Sequence, residues 1–156
     1  MNFLATMLML ISSQASAEDV SHLRWEYWTR HTPDIVLCND INISQEVIEK
    51  AVDRWRERGE NIGQIIRKDC EERPRHGEIA IYADDDVPGN SFGVTRTTVY
   101  LDAQKNKTTS LAYARIWIKS YYLDSVILLE HEIGHGLGFK DTEDSSSIMS
   151  RTGAIY

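Results

Sequence analysis

Apolar residues fall in short runs along the chain, and each change in their spacing marks a new element. Ile35-Val36-Leu37-Cys38 is a β-favouring run opened by Pro33-Asp34 and closed by Asn39-Asp40, which predicts a buried strand. Ser44 then stands where a helix cap belongs. Gln45 and Glu46 occupy the first turn, where a carboxylate suits the dipole, and Val47, Ile48, Ala51, Val52 and Trp55 recur at helical spacing until Gly59 stops the run. This helix is expected to cover a sheet. Two further strands are predicted at 62–66 and 79–82, separated by the charged, proline-containing stretch 67–77. After an acidic turn, Asp84-Asp85-Asp86, the Val- and Thr-rich stretch 93–101 favours extended structure. Residues 112–118 alternate, with Tyr113, Arg115, Trp117 and Lys119 opposite Ala114, Ile116 and Ile118, as a half-buried fifth strand does. From Leu123 the period turns helical, through Val126, Ile127, Leu128 and Leu129 to Ile133 and Leu137. Asp124 is the expected cap there, and Gly136 and Gly138 are the expected terminators. Five strands and two helices predict an α+β fold.

The first 17 residues follow another rule. Phe3 to Ile11 is almost unbroken apolar sequence, Ala15-Ser16-Ala17 follows, and no charge precedes Glu18. Such a core is too short to span a bilayer and the small residues suit signal peptidase, so 1–17 is predicted to be a signal peptide cleaved after Ala17; no Lys or Arg stands near Met1, and an uncleaved anchor or a misread start codon is the rival reading. Residues 18–156 are then expected to form one domain, secreted or periplasmic, in an oxidising compartment where Cys38 and Cys70 can pair once. Seventeen Lys plus Arg against 24 Asp plus Glu give a net charge of -7, with no basic run. That balance argues against nucleic acid as a partner and, once the signal is removed, against a membrane surface.

The second predicted helix carries the chemistry. His131-Glu132-Ile133-Gly134-His135-Gly136-Leu137-Gly138-Phe139-Lys140-Asp141 spells HExxHxxGxxD. Residues four apart emerge about 40° from each other around a helix, so the imidazoles of His131 and His135 can close on one cation. Gly138 lets the chain leave the helix, and Asp141 can fold back as the third ligand. Three protein ligands with an open fourth position is the catalytic zinc pattern. Glu132, beside the first ligand, is placed to act as general base on the zinc-bound water, whose pKa the metal lowers toward about 7. At residue frequencies of about 5%, five such positions coincide by chance in a chain of this length with probability below about 10⁻⁴.

Four residues beyond Asp141 begins Ser145-Ser146-Ser147-Ile148-Met149-Ser150. The zinc motif followed by this turn resembles the metzincin metalloendopeptidases, in which a methionine turn lies beneath the metal. Aspartate as third ligand is similar to the snapalysins, small secreted members. The resemblance implies His131, His135 and Asp141 as ligands of one catalytic zinc, Glu132 as base and Met149 as the floor of the site. It implies a five-stranded mixed twisted sheet with a backing helix and an active-site helix, the stretch 93–101 being the antiparallel edge where a protein or peptide substrate adds as an extended strand. The first two strands would be parallel neighbours, bringing Cys38 and Cys70 close enough for a disulfide; a thiol folded onto the zinc is the alternative. A monomer is expected, with no pro-segment. Some members carry a tyrosine two residues after the methionine; here position 151 is Arg. The seven residues after Met149 imply a minimal lower cleft. The acidic stretches 84–86 and 141–144 are expected to be solvated turns, with Ca2+ the rival reading. The expected activity is secreted zinc-dependent endopeptidase. The rivals are a catalytically silent, zinc-stabilised protein-binding module and a zinc amidohydrolase acting on a non-peptide substrate.

Overall fold

The computed structural model describes Arg24 and residues 32–87, 91–102 and 107–151; the expected signal peptide lies outside the described residues. Strand β1 (Asp34–Cys38) leads into helix α1 (Gln45–Glu57), then β2 (Ile65–Lys68), β3 (Glu78–Ala83), β4 (Gly93–Asp102), β5 (Lys107–Ile118), a short 3-10 turn (Ser120–Tyr122) and helix α2 (Val126–Gly136). The strands form one sheet in the order β2-β1-β3-β5-β4. β1 runs parallel to β2 and β3, β3 runs parallel to β5, and β4 alone is antiparallel, at the edge beside β5. The architecture is therefore α+β, with a five-stranded mixed sheet and two helices.

One face of the sheet makes the core. Register aligns Ile35 with Ile79 and Ile79 with Ala114, then Leu37 with Ile81 and Ile81 with Ile116. These side chains share a single cluster with Ile48, Ala51, Val52 and Trp55 of α1 and Leu128, Leu129 and Ile133 of α2. Both helices thus bury their apolar stripes against the same sheet face, which is the main stabilising contribution in a domain of this kind. Trp55, fully buried, also ties the helices together, since its Nε1 donates to Glu130 O at 2.7 Å.

Helix α1 starts as expected, Ser44 Oγ accepting from Val47 N at 3.2 Å, and Gly59 leaves it with φ +83°. Beyond one-residue shifts at strand ends, three placements differ from expectation. The second strand covers Ile65–Lys68 rather than 62–66, because Gly63 N donates to Pro33 O and Gln64 N to Asp34 Oδ1, which hold 62–64 outside the ladder. Ile62 is buried in that loop and so mimics a strand residue. The fifth strand begins at Lys107 rather than 112, its polar start having no alternation to reveal it. Helix α2 is capped by Ser125, whose Oγ accepts from Leu128 N at 3.3 Å, whereas Asp124 is exposed one residue too early.

Cys38 ends β1 and Cys70 lies two residues beyond β2, and the two form a disulfide with Cα atoms 5.1 Å apart. Neither thiol is free among the described residues, which overturns the alternative of a cysteine folded onto the metal site. Among the described residues no helix is long and apolar enough to cross a membrane. The disulfide and that finding are compatible with an extracytoplasmic protein.

Candidate metal centre

Helix α2 places His131, Glu132 and His135 at the sheet's edge, and its C-terminus brings Asp141 back to them. Leu137 is the last near-helical residue and Gly138 takes φ +94°. Phe139 N then donates to Gly134 O at 2.9 Å and Gly138 N to His135 O at 3.0 Å, the paired bonds of a Schellman motif. A residue with a Cβ would be strained in that left-handed conformation, which explains the glycine. The reversed chain carries Asp141 to the histidines.

The three sequence-predicted ligands converge. His131 Nε2 and His135 Nε2 are 3.1 Å apart, and Asp141 Oδ1 lies 3.3 Å from the first and 3.2 Å from the second. Each ring is oriented from behind, His131 Nδ1 donating to Ile148 O at 3.2 Å and His135 Nδ1 to Phe139 O at 2.9 Å. A carbonyl only accepts, so each Nδ1 carries the proton and each Nε2 presents a lone pair. Burial, with His135 nearby, holds His131 below the ordinary imidazole range and favours this neutral form.

In that tautomer two lone pairs and a carboxylate oxygen face one another. That arrangement is repulsive unless a cation stands at its centre. Bonds of about 2.0–2.1 Å in a tetrahedron put ligand atoms about 3.3 Å apart, close to the observed separations. Two imidazoles and a carboxylate also suit a transition metal better than calcium or magnesium, which prefer oxygen alone. The group can thus hold a metal ion. Among the described residues no second such cluster occurs, and three carboxylates of the acidic turns already accept hydrogen bonds. Asp84 Oδ1 accepts from Asp86 N, Asp85 from Ser120, and Asp144 from Ser146.

Glu132 is only 5% exposed and stands outside the ligand group. Burial pushes its carboxyl above the ordinary carboxylate range, and a hydrogen bond from Thr95 opposes this. It faces a cleft of about 860 Å³ walled by Gly93, Thr95 and Thr97 of β4 on one side and α2 on the other, with Asp141 and Arg151 at its end. Arg151 Nε lies 3.5 Å from Asp141 Oδ2, the oxygen turned away from the histidines. Met149 is fully buried against Gly134, one residue after the carbonyl that orients His131.

Some contributors left no mark in the sequence. Thr95 reads there as one β-branched strand residue among several, and Glu130, buried with Arg54 at 2.6 Å and Arg58 at 3.2 Å, carries no signal of its own. Only an alignment of β4 with α2, or of α1 with α2, reveals them. No protein-family model matches the chain, and no curated protein matches it in sequence.

Proposed function

We propose that this chain is a zinc-dependent endopeptidase of metzincin type, similar to the snapalysins, secreted or periplasmic. The observation that carries the reading is the convergence of His131 Nε2, His135 Nε2 and Asp141 Oδ1 within 3.1–3.3 Å, beside a buried glutamate and an open cleft. The donor set favours zinc. Zinc held by these three residues supplies a Lewis acid that polarises a carbonyl and acidifies water. Glu132 takes the proton from the attacking water and delivers it to the leaving amine, so no covalent enzyme intermediate is needed. Its raised affinity for a proton, a consequence of burial, suits a group that must both accept and return one.

The antiparallel edge strand supports a peptide as substrate. β4 has β5 on one side and the cleft on the other, so an extended segment entering the cleft can add to the sheet by main-chain bonds. Met149 beneath Gly134 and the return of the chain through Gly138 support the metzincin comparison.

Metal content and turnover test the proposal together. The purified chain should carry zinc, lose most of it in Asp141→Ala, and cleave a mixed peptide library. Glu132→Gln should keep the zinc and lose at least about 10³-fold in kcat, as expected when the group moving the proton is removed. Peptide cleavage equal in wild type and Glu132→Gln would leave the silent zinc module as the reading. Products from non-peptide amides alone would leave the amidohydrolase.

A further inference from the structure

One polar contact between β4 and α2 is required neither by sheet formation nor by metal binding. Thr95 Oγ1 lies 2.6 Å from Glu132 Oε2 and 3.0 Å from Glu132 O. A hydroxyl has one proton, and the shorter contact to a carboxylate oxygen takes it. Two residues earlier on the same strand face, Gly93 has no Cβ. An atom built there would stand 3.0 Å from Glu132 Oε1 and 3.1 Å from its Cγ, tighter than ordinary packing. The strand therefore grips one oxygen of the carboxylate and clears space beside the other.

The same strand presents a free edge. Lys119 N donates to Phe92 O at 3.0 Å, which makes Phe92 and Lys119 a hydrogen-bonded pair of the β4–β5 ladder. Antiparallel pairs alternate, so Val94 and Arg96 also direct their main-chain groups to β5, while those of Gly93, Thr95 and Thr97 point to the outer edge. Thr95 thus turns its backbone toward the place an extended peptide would occupy and its hydroxyl toward the base.

We propose that Thr95 is the positioning residue for Glu132, with Gly93 giving the clearance, so that the strand receiving the substrate also aims the group that moves the proton. The proposal rests on the peptide-hydrolase reading. Its logic is steric and directional: a glutamate on a helix has several rotamers, and a donor fixed on the neighbouring strand selects the one that faces the cleft. Backbone docking of the peptide does not use the hydroxyl, so removing it should alter turnover and leave binding alone.

The test uses the full chain loaded with zinc. Thr95→Val keeps the shape and the β-branching and loses the donor; Thr95→Ser keeps the donor. In Thr95→Val, kcat should fall about 10- to 100-fold, the usual cost of losing a hydrogen bond to a charged group, with KM and zinc content unchanged. Thr95→Ser should stay within about threefold of wild type, because the hydroxyl is retained. A general loosening of the strand would instead raise KM or shed metal, and serine would not rescue it. Thr95→Ala serves if the valine variant does not fold, and wild-type kcat in either folded variant overturns the proposal. A second readout needs no turnover. The ¹³C shift of the Glu132 carboxyl carbon should move in Thr95→Val and hold in Thr95→Ser; an unmoved signal in Thr95→Val overturns the proposal by itself. Wild type cleaving no faster than Glu132→Gln would end the peptidase reading, and the carboxyl shift would still decide the role of Thr95.

Discussion

Gly134 sits in the middle of α2, between the glutamate and the second histidine, where alanine ordinarily improves a helix by about 1 kcal/mol. Here the opposite is expected. A Cβ at position 134 would fall within contact of Met149 Sδ and stand 2.5 Å from Trp55 Cζ2 and 3.1 Å from Cη2. Carbon atoms pack at about 3.5–4.0 Å, so the overlap with the indole is about 1 Å. The indole cannot yield, being fully buried, bonded through Nε1 to Glu130 O at 2.7 Å and stacked on Phe139 with centroids 4.8 Å apart. Overpacking against a rigid neighbour costs up to about 3 kcal/mol. Subtracting the helix gain leaves Gly134→Ala about 2 kcal/mol less stable, a fall in Tm of about 4–8 °C for a chain of this size. Thermal melts in chelator read this directly. Zinc affinity should fall as well, since pushing Met149 disturbs the turn whose Ile148 carbonyl holds His131. In a Trp55→Phe background, which removes the struck ring atoms, the cost of Gly134→Ala should shrink by about 1 kcal/mol or more. A Tm raised by the alanine, or a cost indifferent to Trp55→Phe, would refute the packing described.

The disulfide closes a separation of 32 residues, so Cys70→Ser should cost about 3–4 kcal/mol in the chain-entropy picture; a Tm loss below about 3 °C would contradict it. In metal-free protein, His131 is held below its ordinary 6.5, so its contribution to stability is present above that pH and lost as pH falls through the lowered folded value. Urea midpoints in chelator should therefore drop below pH 6.5, with a slope of up to about 1.4 kcal/mol per pH unit that His131→Gln removes. Glu132 works in the other direction, its carboxyl raised above 4.5, so its contribution is present below that pH and lost as pH rises through the folded value. Glu132→Gln should accordingly be more stable than wild type at pH 7 in chelator, and a lower urea midpoint would refute that.

Elements governed by local rules were legible in the sequence. The i, i+4 histidines, the left-handed glycine after the helix and the alternation ending in Ile118 each need only the chain near them. Misplacements occurred where a local signal had a tertiary cause. Ile62 is apolar because it plugs the core from a loop, and the polar residues opening β5 belong to a long hairpin that no alternation announces. Ser125 and Asp124 are neighbouring cap residues, and the choice between them depends on how the preceding 3-10 turn delivers the chain. Thr95 was beyond reach for a stronger reason. Its partner is 37 residues away, and the contact exists only because the sheet edge and α2 are aligned by the core beneath them.

Helix α2 buries Glu130, His131 and Glu132 in succession, at 2, 6 and 5% exposure, a costly sequence unless each charge is answered. Glu130 is answered by protein, through Arg54 and Arg58. The histidines and Asp141 have outward support for Nδ1 and Oδ2, but the three inner atoms have only one another. Folding the metal-free chain must therefore hold three acceptors within 3.1–3.3 Å, and a cation that relieves them is linked to stability. At a ligand concentration a thousandfold above Kd the linkage is about 4 kcal/mol, which would raise Tm by about 10 °C. The donor set makes the effect selective. Zinc should give this shift, while millimolar calcium, which prefers oxygen ligands, should give none, and Asp141→Ala should abolish the zinc response. An equal rise with calcium would place the responsive site in the acidic turns rather than at the two imidazoles, and the centre described here would lose its chief support.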